Sequence, residues 1–354
     1  MSTVVAPALD FDLPPELEAT EPPEERGRGR DDVRLLVSER SNGRLEHRAF
    51  ADLPALLRPG DLLVVNRSRT RPAALRGTVD GEPATVHLSA RRDDGAWVVE
   101  LRHSESSSRG TSPWLDAVPA TIIRLPDGGT ATLLRPAAER VGAGVRLWAA
   151  ELELPGPTGD YLARWGRPIV YAHTGRPRLL HAYQTVFADE DGSAEMPSAA
   201  RPFTTELVTR LIVQGVGLTA VLLHCGISSA EAGEPLQAEW FSVPAVTAQR
   251  VNATLRLGGR VIAVGTTVVR ALESAVAEPG LVLPAEGWTD AVVDLEHPPR
   301  VVGAVLTGWH EPRASHLAML EAIAGPDLLR ASYRAALAHG YMWHEFGDSH
   351  LVLP

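Results

Sequence analysis

Val261-Ile262-Ala263-Val264-Gly265-Thr266-Thr267-Val268-Val269-Arg270-Ala271-Leu272-Glu273-Ser274 joins an apolar run to a glycine, two threonines and a helix-forming stretch. A short apolar run ending at turn residues reads as a strand covered on both faces. Gly265 turns the chain there, and a threonine caps the helix that follows. Amides exposed at such a helix start bind an anionic group well. The three-glycine spacing of a dinucleotide site is missing. A plain strand–helix unit and an anion-binding turn therefore both stay open. Arg270 and Glu273 are three apart on one helical face, where they can pair or serve a ligand.

Outward from this unit the same texture recurs. Thr204 to Gln214 predicts a helix with Leu207, Leu211 and Ile212 on one face, ended by Gly215 and followed by the strand Leu218 to Leu223. Val301 to Leu306 reads as another strand. Upstream, Val33 to Val37 reads as a strand before the turn Ser41-Asn42-Gly43, and Leu53 to Leu57 as a helical turn. Pro59-Gly60-Asp61 then breaks the chain before the buried strand Leu62 to Val65, which ends at Asn66. Between residues 75 and 155 the pattern changes to short alternating runs (Ala84 to Leu88, Trp97 to Leu101, Ala120 to Leu125, Val145 to Ala150) separated by Asp-Gly and Gly-Gly turns. That is an all-β module. The expected architecture is a mixed α/β body, residues 1–75 and 156–354, with an inserted all-β barrel-like domain at 76–155. Residues 1–32 read as an extended lead-in. Its arginines Arg26, Arg28 and Arg30 suit a solvated loop or an anion contact.

The 354 residues are 44% hydrophobic and 22% charged, which fits a soluble globular protein with a real core. No apolar run reaches the roughly 18 residues of a membrane span, and the acidic, proline-rich start does not read as a secretion signal. Cys225 is the single cysteine, which excludes an internal disulfide and any cysteine-built metal cage. Cytoplasmic residence is expected, with no membrane partner and a monomer favoured. All 34 basic residues are arginine, so a Schiff-base lysine and a P-loop lysine are excluded. A net charge of −10 argues against a broad phosphate-tracking surface, though not against a local arginine patch. Chemistry is left to His, Asp, Glu, Arg, Ser, Thr, Tyr and backbone groups.

Two further stretches can carry it. Asn66-Arg67-Ser68-Arg69-Thr70-Arg71-Pro72 follows a buried strand, where side chains reach clefts and arginine offers forked donors to a carboxylate or phosphate; a solvated turn is the other reading. Trp309-His310-Glu311-Pro312 follows a strand, and the chain closes on His344-Glu345-Phe346-Gly347-Asp348-Ser349-His350. The latter mixes imidazole and carboxylate without an established zinc spacing, so a hydrogen-bonded cluster is favoured over a metal site. His224, Cys225, Tyr183 and Trp240 read as packing groups on their own evidence.

Taken in order, these segments resemble the S-adenosylmethionine:tRNA ribosyltransferase-isomerase family of queuosine biosynthesis. The resemblance rests on Asp10-Phe11-Asp12-Leu13-Pro14, Phe50-Ala51-Asp52-Leu53, and Pro59-Gly60-Asp61-Leu62-Leu63-Val64-Val65-Asn66 followed by Arg69 and Pro72. Tyr183-Gln184-Thr185-Val186-Phe187 and residues 261–274 match as well. Thr307, His310 and Pro312 fall on the family's T-N-F-H-L-P-x-S-T, and Tyr341 and Gly347-Asp348 on its Y-x-F-x-x-Y-G-D. The resemblance implies an α/β body with an inserted β-barrel. It also implies S-adenosylmethionine used as ribosyl donor to an aminomethyl-deazaguanine in tRNA, with adenine and methionine released and no metal required. By the same resemblance His310 is the acid/base candidate and Asp348 its alternative. Arg69 and Arg270 are implied anion clamps, and Asn66, Thr266 and Thr267 orient the donor. Glu239, His224 and Tyr183 complete the implied substrate-binding set.

Departures accompany the matches. The family's A-A-P-T-A-G-L-H-F reads Glu195-Met196-Pro197-Ser198-Ala199-Ala200-Arg201-Pro202-Phe203, so a proline replaces its histidine. Its L-H-V-G-x-G-T-F reads Leu223-His224-Cys225-Gly226-Ile227-Ser228-Ser229-Ala230, and the histidine of its H-x-E is Gln237, with Glu239 kept. Glu311 replaces a leucine, and His316 is an added histidine. This is the pattern of a divergent paralogue. A small-molecule acceptor, a nucleoside- or RNA-binding relative without catalysis, and a metal-dependent hydrolase are the competing readings.

Overall fold

The apolar runs meet at the centre of a nine-stranded mixed sheet. The computed structural model describes residues 9–104, 111–137, 144–171, 174, 177–227 and 237–354. Gly217–Leu223, Leu62–Asn66, Val261–Val264 and Ala304–Gly308 lie side by side and parallel. Side chains alternate across the sheet. Leu62, Val64, Val261, Ala263 and Val305 pack with the helices Ala245–Arg256, Thr266–Ser274, His316–Ala324 and Pro326–Ala338. Leu63, Val65, Ile262, Val264, Ala304 and Leu306 pack on the opposite face with Phe50, Leu53, Phe203, Leu207 and Leu211. Cover on both sides is why these strands carry unbroken apolar sequence. Ser349–Leu353, Arg34–Glu39 and Arg44–Ala49 extend one edge, and Glu239–Val243 and Ala285–Thr289 the other.

Two local expectations are corrected. In the helix Thr205–Val213 the Thr204 hydroxyl accepts the Leu207 amide at 3.1 Å, and Leu207 and Leu211 are buried, but Ile212 is 53% exposed. One residue past Leu211 is a 100° rotation, which carries it off the apolar stripe. The strand expected from Val301 begins at Ala304, because the amides of Arg300, Val301 and Val302 donate to the Glu273 carboxylate at 2.8, 3.0 and 3.0 Å. Glu273 therefore braces this turn instead of pairing with Arg270.

The second sheet closes on itself. Ala74–Val79, Glu82–Arg91, Trp97–Ser104, Leu147–Glu153, Thr130–Pro136 and Ile122–Arg124 form an antiparallel barrel, with Thr78 opposite Arg124 at the closing seam. Gly77 permits that seam, since a Cβ there would lie 2.5 Å from the Arg124 carbonyl oxygen. Val86, Leu88, Val99, Leu101, Ile123, Leu133 and Trp148 fill the interior. Among the described residues no helix is long and apolar enough to cross a membrane.

Candidate functional site

In parallel α/β sheets, ligands bind beyond the carboxyl ends of the strands. Here those ends carry Asn66, His224, Gly265-Thr266 and Thr307 to His310, and a two-lobed cleft opens beside them. The larger lobe, about 490 Å³, runs from the barrel wall (Glu100, Arg102, Arg146) to Tyr183, His310, His344 and Glu345. The smaller lobe, about 230 Å³, is lined by Thr266, Thr267, Arg270, Glu239, Gln237, Cys225, His310 and His316. Arg146, Glu195, Met196, Ser198, Gly308, His310 and His316 border both. Volumes of this order suit a small-molecule ligand.

Five of the ten candidate residues meet in this smaller lobe or on the wall it shares: His310, Thr266, Thr267, Arg270 and Glu239. Gly265 has φ +96, and a Cβ on it would sit 3.3 Å from that of Ala199, so glycine alone lets the helix start abut the 197–200 segment. The expected threonine cap is corrected: Gly265 occupies the cap position, no side chain caps the helix, and its first amides, at Thr266 and Thr267, have no carbonyl four residues back within it. Arg270 forms an ion pair with Glu239 and donates to the Thr289 carbonyl at 3.0 Å. Its buried Nε has no hydrogen-bond partner among the described residues. Glu239 also accepts the Gly226 amide at 2.7 Å.

His310 is fixed on several sides. Its Nε2 lies 3.0 Å from the Thr307 hydroxyl, its amide donates to the Tyr333 hydroxyl at 3.3 Å, and its carbonyl accepts the Trp343 indole N–H at 3.0 Å. The His316 ring stacks on it, centroids 4.6 Å apart and planes 12° from parallel. Burial, reinforced by the imidazoles of His316, His350 and His344, holds His310 well below the ordinary imidazole range. Burial and then the Arg270 charge push His316 down to about 4. At neutral pH both rings are uncharged, the form in which imidazole accepts a proton. Tyr183 lines the larger lobe with its ring 5.4 Å from that of Phe346, and burial raises its phenol.

The other four candidates lie outside the cleft lining. Asn66 is fully buried beneath it. Its amide donates to the Leu223 carbonyl at 2.8 Å and the Thr267 hydroxyl at 3.3 Å, and its oxygen accepts the Ser68 and Leu223 amides at 3.0 and 3.1 Å. It ties two strands to the helix start. Arg69 is half exposed, 3.7 Å from Asp191, with a bond to the Ala188 carbonyl. His224 bonds Ser68 at 2.8 Å and lies flat on Gly192, where a Cβ would be 2.2 Å from the ring. Asp348 accepts the Arg34 amide at 2.7 Å, the Arg34 guanidinium at 2.8 Å and the Met342 amide at 2.8 Å. These contacts make it a brace between the first strand and the C-terminal turn. Asp348→Asn is expected to lower stability by about 2–4 kcal/mol while leaving kcat per folded molecule within twofold; urea unfolding and assays corrected for folded fraction check this.

The closing cluster is dispersed by the fold: Asp348 braces Arg34, His344 reaches the larger lobe, and His350 turns inward. The His350 ring is fully buried, 2.8 Å from the Ser38 hydroxyl and stacked 4.8 Å from Trp309, and burial pushes it down to about 3. The unfolded imidazole protonates near 6.5, so its neutral burial supports the fold above that pH and ceases to as pH falls toward 3. Acidification from pH 7 to pH 5 should cost about 2 kcal/mol through His350 alone. Unfolding curves of His350→Gln should show a shallower loss over that interval.

The barrel's share of the cleft was not foreseen. Glu100 is buried, with Arg102 at 2.6 Å, Arg146 at 3.4 Å and His87 at 3.4 Å, and its carboxyl is brought down to about 2 by these neighbours against the cost of burial. The one available signal was a charged residue inside an apolar alternating strand. Of the departures from the family pattern, Glu195, Met196, Ser198, Gln237 and His316 border the cleft. Arg201 instead pairs with Glu24 at 3.1 Å, and Ser228-Ser229-Ala230 lie outside the described residues.

A family model described as queuosine biosynthesis protein matches residues 7–352. The S-adenosylmethionine:tRNA ribosyltransferase-isomerase of Symbiobacterium thermophilum is 36% identical over 358 residues, covering 98% of each chain. That of Desulfitobacterium hafniense is 33% identical over 355 residues, again with 98% of each covered. Among solved structures, the S-adenosylmethionine tRNA ribosyltransferase of Thermotoga maritima is similar at a TM-score of 0.54 and 29% identity, covering 98% of this chain and 100% of that one.

Proposed function

The chain belongs to the queuosine biosynthesis protein family, and from that premise we propose that it transfers the ribosyl part of S-adenosylmethionine to a 7-aminomethyl-7-deazaguanine in tRNA. Adenine and methionine are the products released. The observation that carries this reading is that an uncharged imidazole, His310, and an anion-receptive helix start at Thr266 line the same lobe. The donor's carboxylate meets Arg270 and the helix amides, where a charge-assisted bond is strongest. Among the described residues five glutamates and three arginines line the two lobes, and a carboxylate there suits a sulfonium cation. The sulfonium acidifies the ribose carbon beside it, and His310 accepts the proton as general base. The resulting carbanion opens the ring and adenine departs. The acceptor amine then bonds to the ribose carbons as methionine leaves. The enzyme acts in the cytoplasm.

Incubation with S-adenosylmethionine and tRNA bearing the aminomethyl base should yield adenine and methionine in equal amounts. S-adenosylhomocysteine in their place would mean methyl transfer and overturn the reading. A second reading, a free nucleoside acceptor, is favoured by one feature: several strand-end and surface arginines are engaged by acids. Arg67 pairs with Glu190 at 2.7 Å, Arg30 with Glu24 at 3.1 Å and Arg313 with Asp10 at 3.5 Å. Binding that weakens steeply with salt supports tRNA, and a flat dependence supports the free nucleoside.

A further inference from the structure

We propose that His316 completes a carboxylate site in the smaller lobe, its ring donating to the amino-acid carboxylate of S-adenosylmethionine together with Arg270 and the helix start at Thr266. This rests on the transferase reading above and fixes which end of the donor enters which lobe. His316 is the first residue of the helix His316–Ala324 and borders both lobes. Among the described residues neither of its ring nitrogens has a hydrogen-bond partner. Its contacts are the face of His310, centroids 4.6 Å apart, and the charge of Arg270. The stack occupies a face of the ring and leaves the nitrogens to whatever fills the lobe. His316 is an added histidine relative to the family pattern, so this contact is a property of the chain itself.

Donors from three elements meet here. In the helix Thr266–Ser274 the Val268 and Val269 amides donate to the Gly265 carbonyl at 3.2 and 3.4 Å, which leaves those of Thr266 and Thr267 for a ligand. Arg270, 8% exposed, borders the lobe, and its buried Nε has no acceptor among the described residues. A buried donor left unmade is costly until an acceptor arrives. In the helix His316–Ala324 the Leu317 and Ala318 amides are spent on the Ala314 and Ser315 carbonyls at 3.0 and 3.3 Å, so what this start offers is His316 itself. The other charged groups of the lobe are Glu239, held by Arg270 and the Gly226 amide, and Arg146 and Glu195 on the wall shared with the larger lobe. Burial and the Arg270 charge keep the His316 ring neutral at pH 7, and a neutral imidazole carries one N–H to donate. With the carboxylate held there, the ribose carbon beside sulfur comes to His310 at the junction of the lobes, and adenine extends into the larger one.

The test is calorimetry on the full chain with two probes, S-adenosylmethionine and its decarboxylated analogue, which keeps the sulfonium, ribose and adenine. His316→Leu should bind S-adenosylmethionine about tenfold more weakly than wild type does, and the analogue within about twofold of wild type. His316→Gln keeps an N–H donor and should return S-adenosylmethionine affinity to within about threefold of wild type. An equal loss for both probes in His316→Leu, or no loss for S-adenosylmethionine, overturns the proposal and leaves the transferase reading standing. NMR of the wild-type chain gives a readout that needs no variant. The His316 ring signals should shift on adding S-adenosylmethionine and far less on adding the analogue; equal shifts also overturn the proposal. Absence of adenine from wild type given S-adenosylmethionine and acceptor tRNA instead overturns the transferase reading and, with it, this role of the lobe.

Discussion

Replacing His310 with glutamine should lower kcat for adenine release about 10²–10⁴-fold and leave S-adenosylmethionine binding almost unchanged. Glutamine keeps a polar contact to the Thr307 hydroxyl, which lies 3.0 Å from His310 Nε2, and keeps the backbone bonds to Tyr333 and Trp343. It removes only the group able to accept a proton. The expected split, kcat lost and binding retained, identifies an interaction made in the transition state. The pH dependence follows from the ring's surroundings. A base works in its deprotonated form, and burial keeps His310 deprotonated well below the ordinary imidazole range. The acid limb of kcat should therefore lie below about pH 6.5, and an acid limb above that value would remove His310 from the base role.

Arg270→Met should weaken S-adenosylmethionine binding about 10–100-fold, the effect of one lost charge-assisted bond. It should also destabilise the fold by about 3 kcal/mol, since it strands the largely buried Glu239 carboxylate. The two effects are separable. Adding Glu239→Gln removes the stranded charge and should recover stability without recovering affinity. Arg270→Lys should rescue neither fully, because an ammonium cannot span Glu239 and the Thr289 carbonyl as the guanidinium fork does. Calorimetry and urea unfolding on the single and double variants test both parts.

Local pattern was readable wherever the physics is local. The four apolar residues before Gly265 mark a strand covered on both faces, and Thr204 marks a helix start. Asp80-Gly81 and Asp127-Gly128, all at positive φ, mark barrel hairpins. Ordered motifs likewise pointed to Thr266, Arg270 and His310, which the fold gathers into one lobe. What local pattern could not reveal was the choice of partner across long chain separations. Arg270 lies 31 residues from Glu239, and helical spacing pointed it to Glu273 instead. Asp348 lies 314 residues from Arg34, and the resemblance put it forward as the alternative acid/base group. Depth was hidden as well. Asn66 and His224 sit at strand ends as expected, yet Asn66 is buried beneath the cleft and the half-buried His224 packs on Gly192 outside its lining. Glu100 and Arg146 belong to the barrel, and only its docking against the strand ends brings them to the site.

The most direct measurement follows hydrogen exchange in D2O at the ribose carbon bonded to sulfur, using mass spectrometry of S-adenosylmethionine recovered after incubation with the enzyme. Deuterium entering at that carbon with wild type, and about 10²-fold more slowly with His310→Gln, is the predicted result. Equal exchange in the two proteins would contradict proton removal by this imidazole.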